Sequence, residues 1–175
     1  MKKIASLIMS VALASSAIAG PVSSGKGSKM VTPPAPSCDW FAPGAKLGVF
    51  GAGILPDNAS ADDDALGGGV LAEYFFCENF GIEVSYGAYA TNNTHHEFDA
   101  ALVARYPILS ACIAPYVMVG GGVSANGENN GNWLVGGGLE AHLVNNIGLF
   151  ADGAYHWGAD DQDFTLVRLG LKFRL

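Results

Sequence analysis

The stretch FTLVRLGLKFRL, residues 164–175, decides the fold because its apolar and charged residues alternate. Neighbouring side chains of a β-strand point to opposite faces of the sheet, so alternation with a period of two predicts a strand with two different faces. One face would carry the apolar residues at positions 167, 169, 171, 173 and 175, and the other would carry Arg168, Lys172 and Arg174. The strand therefore has one face suited to an apolar environment and one suited to ion pairs.

The composition of the whole chain is unusual for a soluble protein. Half of the 175 residues are hydrophobic and only 14% are charged, compared with about 25% in ordinary soluble proteins. The chain also has 24 glycines, and its formal net charge at pH 7 is −7. Because phosphates require a basic surface, this charge argues against nucleic acid as a partner.

The first 39 residues read as export and linker sequence. Lys2 and Lys3 precede an apolar core over 4–13, and Ala17-Ile18-Ala19 forms a small-residue cleavage site. This order predicts a secretory signal peptide over 1–19, cleaved after Ala19. Residues 20–39 are rich in Gly, Ser and Pro, which predicts a flexible periplasmic linker. Residues 40–175 then form the folded domain.

Within that domain, turn-forming residues separate eight strand-like segments. Short connections alternate with mostly longer polar ones, as in an up-and-down meander. The sequence thus predicts an all-β, eight-stranded antiparallel up-and-down transmembrane β-barrel. The predicted strands are 45–55, 66–76, 81–91, 96–106, 114–124, 132–144, 147–157 and 164–175.

In each of these segments, the charged residues have either all odd or all even numbers; we call this their parity. Residues of the same parity point to the same face of a strand. We therefore expect the charged residues to line the lumen as an ionic network that plugs it, because eight strands leave room only for side chains. We expect Glu83 to face Arg105, and Asp152 to face Arg168. The predicted network consists of Lys46, Glu73, Glu83, Asp99, Arg105, Glu140, Asp152, Arg168, Lys172 and Arg174.

The other face carries no charge, which favours lipid over water outside the barrel. A soluble barrel with an apolar interior is the alternative, but its exterior would then have very few charges. Aromatic residues of the outward parity collect near the strand ends, as in the two interfacial girdles of membrane barrels. The predicted girdle residues are Tyr74, Phe76, Tyr106, Tyr116, Trp133, Tyr155 and Trp157.

Taken together, residues 40–175 resemble the small OmpA/OmpX-like eight-stranded outer membrane barrels. The most specific match is the final strand, where Arg168, Gly170, Phe173 and Leu175 fill the places of the family's assembly signal. The family often ends in Phe, where this sequence has Leu175. The resemblance implies an outer membrane location in a diderm (Gram-negative) bacterium, contact with outer membrane lipid, and recognition by the barrel-assembly machinery.

Other residues suggest chemistry less specifically. Cys77 and Cys112 lie in the first two short turns, so a Cys77–Cys112 disulfide is the favoured pairing, with intermolecular crosslinking as the rival. His95 and His96 could bind a metal at the surface, but adjacent strand residues point apart. The Gly triplets lack the context of a phosphate-binding loop. No cofactor is predicted.

The sequence therefore predicts a non-enzymatic protein that supports envelope integrity or surface interaction. Its acidic loops, which include Asp62-Asp63-Asp64 and Asp160-Asp161, could contact an extracellular ligand. The alternatives are a narrow or gated small-solute channel, a soluble secreted ligand-binding barrel, and a membrane-embedded enzyme.

Overall fold

The computed structural model describes residues 38–56, 65–90, 94–125, 129–158 and 163–175. The predicted signal peptide, almost all of the predicted linker and the two acidic loop motifs lie outside these residues. In the described part of the chain, no helix is both long enough and apolar enough to cross a membrane.

Eight strands account for most of the described residues. Their bounds agree with the predicted segments to within a few residues, because charge alternation and turn residues together locate a strand well. The strands are β1 (Gly44–Pro56), β2 (Ala65–Phe75), β3 (Phe80–Tyr89), β4 (His95–Arg105), β5 (Ile113–Ala125), β6 (Asn129–Val144), β7 (Ile147–Gly158) and β8 (Phe164–Arg174).

The strands pair in chain order and close into a barrel, with β8 hydrogen-bonded to β1. Every neighbouring pair is antiparallel, and Val49 of β1 lies opposite Leu171 of β8. Closure leaves no unpaired sheet edge. The predicted fold, an all-β, eight-stranded antiparallel up-and-down barrel, is confirmed.

Inward and outward residues alternate along each strand. In β8, Leu166, Arg168 and Lys172 are buried, whereas Val167 and Leu169 are about half exposed. The interior therefore contains apolar as well as charged side chains, and the outer face is apolar. Large exposed apolar residues occur on all eight strands.

Glycine lets neighbouring strands approach closely where the barrel is tightly coiled. Gly69 of β2 lies opposite Gly87 of β3. A Cβ at Gly69 would lie 2.8 Å from the Gly87 Cα and 2.6 Å from the Phe50 ring. This crowding indicates that the triplet Gly67–Gly69 has a packing role in the sheet.

Candidate functional site

The interior nearest the short turns holds a group of buried charges that we call the lower cluster: Lys46, Glu73, Glu140 and Lys172. Lys172 Nζ lies 2.5 Å from Glu73 Oε1 and 3.8 Å from Glu140 Oε2, and Lys46 pairs with Glu140. Four strands contribute these residues, so the ion pairs cross the lumen. Lys172 Nζ also lies 4.0 Å from Glu83 Oε2, which connects this cluster to the next.

The middle cluster centres on Arg168. Its Nε and Nη2 donate to the two carboxylate oxygens of Asp152, each at 2.8 Å. Arg168 Nη2 also lies 2.9 Å from Glu83 Oε1. Tyr116 Oη donates to Asp152 Oδ2 at 2.6 Å. The two-pronged contact between Arg168 and Asp152 is among the stronger forms of ion pair. With Glu83 and Tyr116, the cluster links β3, β5, β7 and β8.

The upper cluster lies toward the long loops and consists of Glu97, Asp99, Ser124, Asn132 and His156, all buried. Glu97 accepts hydrogen bonds from Ser124 Oγ and Asn132 Nδ2. His156 Nε2 lies 3.5 Å from Asp99 Oδ1. Asp99 was predicted to join the ionic network, but the side chain that it contacts is this histidine rather than a lysine or arginine.

Residues 38–41 form a cap over the short-turn end of the lumen. Asp39–Phe41 is a 3-10 helix, and its Trp40 and Phe41 are 3% and 1% exposed. Trp40 Nε1 donates to Glu140 Oε1 at 2.5 Å, and Lys46 Nζ lies 4.4 Å from the Trp40 ring centroid. The cap therefore packs directly on the lower cluster. The predicted flexible linker was wrong at its end, because Cys38 and Asp39 belong to this cap.

A disulfide joins Cys38 to Cys112, with a Cα–Cα distance of 5.7 Å. The predicted Cys77–Cys112 pair is therefore wrong: Cys77 is exposed and has a free thiol. Cys112 lies in the turn before β5 with a positive φ of 53°. The sequence placed Cys77 and Cys112 at the same end of the barrel, but it gave no reason for Cys38 to fold back over the mouth.

Thiol labelling tests this connectivity. In non-reducing denaturant, we expect maleimide to label one thiol of the chain, at Cys77, and to label Cys38 and Cys112 only after reduction. Peptide mapping by mass spectrometry reads the labelled positions directly. Recovery of a Cys77–Cys112 linked peptide from freshly purified, alkylated protein would contradict the pairing.

Arg105 and Arg174 lie at the short-turn end instead of pairing with interior acids. Glu83 lies opposite Ala101, four residues from Arg105, so the predicted Glu83–Arg105 contact was wrong in register. Arg105 donates to the carbonyls of Glu78 and Phe41, each at 2.7 Å. Arg174 is only partly buried and donates to the Asp39 carbonyl. Both arginines thus hold the cap or the adjoining turn.

Two bands of outward aromatic residues lie near the strand ends. Trp133 and Trp157 are opposite each other on β6 and β7, and Tyr155 packs against Trp157 with ring centroids 4.9 Å apart. These three residues form the band at the long-loop end. At the short-turn end, Tyr74, Phe76 and Tyr106 face outward as predicted, and so do Phe80 and Phe173.

Tyr116 was assigned wrongly to these bands. It is 5% exposed and lies in the lumen, where it donates to Asp152. Strand β5 has no charged residue to indicate which parity faces inward, so the sequence pattern left its orientation open. The exposed Val117 and Val119 occupy the outward parity.

In sequence, the chain matches no protein-family model and no curated protein. In structure, it is similar to Neisserial surface protein A, with a TM-score of 0.63 at 11% identity, over 75% of this chain and 97% of that one. It is also similar to the N-terminal barrel of Pseudomonas aeruginosa OprF, with a TM-score of 0.57 at 17% identity, over 74% and 97%.

The chain has the fold of a small outer membrane β-barrel. A third similar structure, the Yersinia pestis attachment invasion locus protein Ail, has a TM-score of 0.54 at 16% identity, over 75% of this chain and 96% of that one. Low identity with nearly full coverage of these barrels shows that the fold is shared while the side chains differ. The interior clusters must therefore be interpreted from this sequence alone.

Within this outer membrane barrel fold, the predicted assembly-signal residues all belong to the β8 region. Phe173 and Leu175 are exposed on the outer face, and Arg168 points into the lumen. Gly170 has a packing role of its own, because a Cβ there would lie 2.7 Å from Phe150 Cε1. Recognition of these positions by an assembly machinery stays a prediction.

Three features of the site were missed at the sequence level: the cap, the inward Tyr116 and the buried Glu97–His156 neighbourhood. The adjacency of Cys38 to the aromatic pair Trp40-Phe41 is the one local signal for the cap. The other two depend on strand register, which brings residues from distant strands to the same height.

Proposed function

We propose that this protein is an integral outer membrane barrel with a closed lumen, which acts as a structural and surface-interaction element of the envelope and not as a channel. The observation that supports the proposal is the series of buried side-chain contacts along the lumen. The cap, the lower cluster and the middle cluster follow one another from the short-turn end toward the long loops.

The apolar outer face and its two aromatic bands support insertion into a bilayer. Leu66 and Trp133 are 79% and 74% exposed, an unfavourable arrangement in water but a favourable one against lipid and its interface. A soluble ligand-binding barrel would have the opposite arrangement, with a polar exterior. Membrane fractionation with carbonate extraction and heat-modifiable gel mobility distinguish the two.

The contacts of the interior also favour a role other than catalysis. Ser124 Oγ donates to Glu97, and Ser85 Oγ accepts from Arg168 Nη1 at 3.4 Å. Ser124 Oγ also accepts from Asn132 Nδ2 at 2.9 Å, so both hydroxyls belong to the hydrogen-bond network that surrounds the buried charges. We therefore propose that surface contact, rather than a reaction in the lumen, is the function. We also propose that the acidic loops take part in that contact.

Planar-bilayer recording tests the closed lumen. We expect the purified protein to show no steady conductance, because ion pairs and aromatic side chains occupy its cross-section. A variant with Trp40→Ala and Phe41→Ala removes the cap's aromatic rings and leaves the lower and middle clusters in place. We expect it to remain non-conducting as well.

The two proteins separate the alternatives. Steady conductance by the unmodified protein would contradict the proposal in favour of a narrow channel. Conductance by the double variant alone would show that the cap is a gate and that the clusters do not close the lumen. A porin reconstituted in the same way serves as the positive control.

A further inference from the structure

The upper cluster contains an unusual combination of buried groups at the loop end of the interior. Glu97 and Asp99 of β4 are 1% and 7% exposed, and His156 of β7 is 1% exposed. One ligating atom from each of these three residues lies within 4.8 Å of the other two. Two carboxylates and an imidazole therefore converge on one point inside the barrel.

His156 is buried without hydrogen bonds. Among the residues that the structure describes, neither of its ring nitrogens has a hydrogen-bond partner, and neither does Asp99 Oδ1, which lies 3.5 Å from Nε2. The ring is stacked on Phe164, with centroids 4.4 Å apart and an interplanar angle of 8°. Buried polar groups without partners are rare and cost free energy. A ligand that accepts the lone pair of the imidazole would remove that cost.

The charges of the interior lead to the same conclusion. The interior lysines and arginines described by the structure contact other acids or the cap, which leaves Glu97 and Asp99 without a lysine or arginine partner. A divalent cation supplies the two positive charges that these carboxylates require. The cations of the lower and middle clusters and the cap are Lys46, Arg105, Arg168 and Lys172.

The surroundings hold the carboxylates in place. Ser124, Asn132 and His95 all contact the Glu97 carboxylate, with His95 Nε2 at 3.2 Å. Such outer contacts orient metal ligands. On the neighbouring strand, a Cβ at Gly122 would collide with the Asp99 carboxylate, so only Gly leaves room for it.

We propose that Glu97, Asp99 and His156 form a binding site for a divalent transition-metal ion, with Zn²⁺ as the representative ion. The 3.5 Å between His156 Nε2 and Asp99 Oδ1 is close to the roughly 3.3 Å edge of a tetrahedron with bonds of about 2.0–2.1 Å. Histidine nitrogen and carboxylate oxygen are both common zinc ligands. A cavity of about 10 Å³ borders Asp99 and His156 on the side of Glu83 and Arg168, a space comparable with one water.

The test uses the untagged full chain, refolded in detergent with Zn²⁺ and then dialysed. We expect elemental analysis to find one zinc per folded chain. Competition with a chromophoric chelator gives the affinity. Loss of a residue that only orients a metal ligand lowers metal affinity by about 10–100-fold. Loss of a ligand itself, in His156→Gln or Asp99→Asn, should therefore weaken zinc binding by about a hundredfold or more.

His96→Gln is the matched control. His96 lies near the same end of β4 but on the outer face, with its Nδ1 2.8 Å from Tyr86 Oη. We expect this variant to bind zinc like the unmodified protein. Heat-modifiable gel mobility verifies that each variant is folded, and if one ligand variant fails to fold, the other supplies the result.

Cobalt gives a second readout that does not depend on affinity. Co²⁺ in the site should show the visible d–d absorption of a low-coordinate ion with nitrogen and oxygen ligands, and this absorption should be absent in His156→Gln. The proposal is overturned if the unmodified protein retains no zinc after dialysis. It is overturned equally if His96→Gln loses as much affinity as His156→Gln.

Discussion

Replacing Arg168 with Met is expected to lower the free energy of unfolding by about 3–5 kcal/mol. Arg168 is 3% exposed and is the ion-pair partner of both Asp152 and Glu83. Its loss leaves two buried carboxylates without their main counter-charge. Urea titration of the barrel in short-chain lipid vesicles, followed by tryptophan fluorescence and gel mobility, measures the change.

Two comparisons sharpen this prediction. Arg174→Met removes a partly exposed arginine of the same strand that contacts a backbone carbonyl, so we expect a loss of less than about 1 kcal/mol. Adding Glu83→Gln and Asp152→Asn to Arg168→Met removes the uncompensated charges and should recover most of the stability. Equal losses for the two single arginine variants would show that the middle cluster does not stabilise the barrel.

Replacing Val119 with Arg is expected to destabilise the membrane-inserted barrel by about 2–4 kcal/mol, because it places a charge at the centre of the lipid-facing surface. Val119 lies midway along β5, is 55% exposed and lies opposite Val135 and Leu102. Equilibrium unfolding from vesicles measures the effect without any assembly machinery.

The control places the same charge near the membrane surface. Leu143 is 50% exposed at the short-turn end of β6, where the cost of Arg falls to about 0–1 kcal/mol. A penalty that depends on depth is specific to a bilayer. If Val119→Arg and Leu143→Arg behaved alike, or if Val119→Arg left the stability unchanged, the outer face would not be a lipid-facing surface.

The fold could be predicted from the sequence because lipid and lumen impose opposite requirements on neighbouring residues. In β8, Arg168 and Lys172 could not face lipid, so their parity determined the orientation of the whole strand. The same reasoning failed for Tyr116, since β5 offers no charge and a tyrosine is compatible with either side.

The interior contacts could be predicted only in part because parity gives the face of a residue but not its height. Asp152 and Arg168 are indeed register partners. Glu83 and Arg105 are on the expected face, but the residue opposite Glu83 is Ala101, four positions from Arg105 along β4. Glu83 instead pairs with Arg168 from a distant strand. A one-dimensional pattern cannot specify contacts across the lumen, which depend on the tilt and stagger of the closed barrel.

The cap could not be predicted for a different reason. A segment rich in Gly, Ser and Pro favours disorder by composition, and the one local signal, Cys38 beside Trp40-Phe41, does not specify where these residues pack. The disulfide and the contacts of Trp40 with Glu140 and Lys46 are long-range interactions, so they exist only once the barrel is present.

The placement of Arg168 and Lys172 on the same strand has a consequence for the order of folding. The two side chains supply the closest cationic contacts of Glu73, Glu83 and Asp152, which belong to β2, β3 and β7. Asp152 already faces Arg168 across the β7–β8 pair and Glu73 faces Lys46 across the β1–β2 pair, but Glu83 and Glu73 reach Arg168 and Lys172 only when β8 joins β1. Closure of β8 onto β1 therefore completes both the sheet and the ion pairs of Glu73 and Glu83, and a sheet of seven strands would be both open and strongly acidic inside. Such an intermediate is poorly suited to enter lipid, so release into the bilayer should follow closure and not precede it.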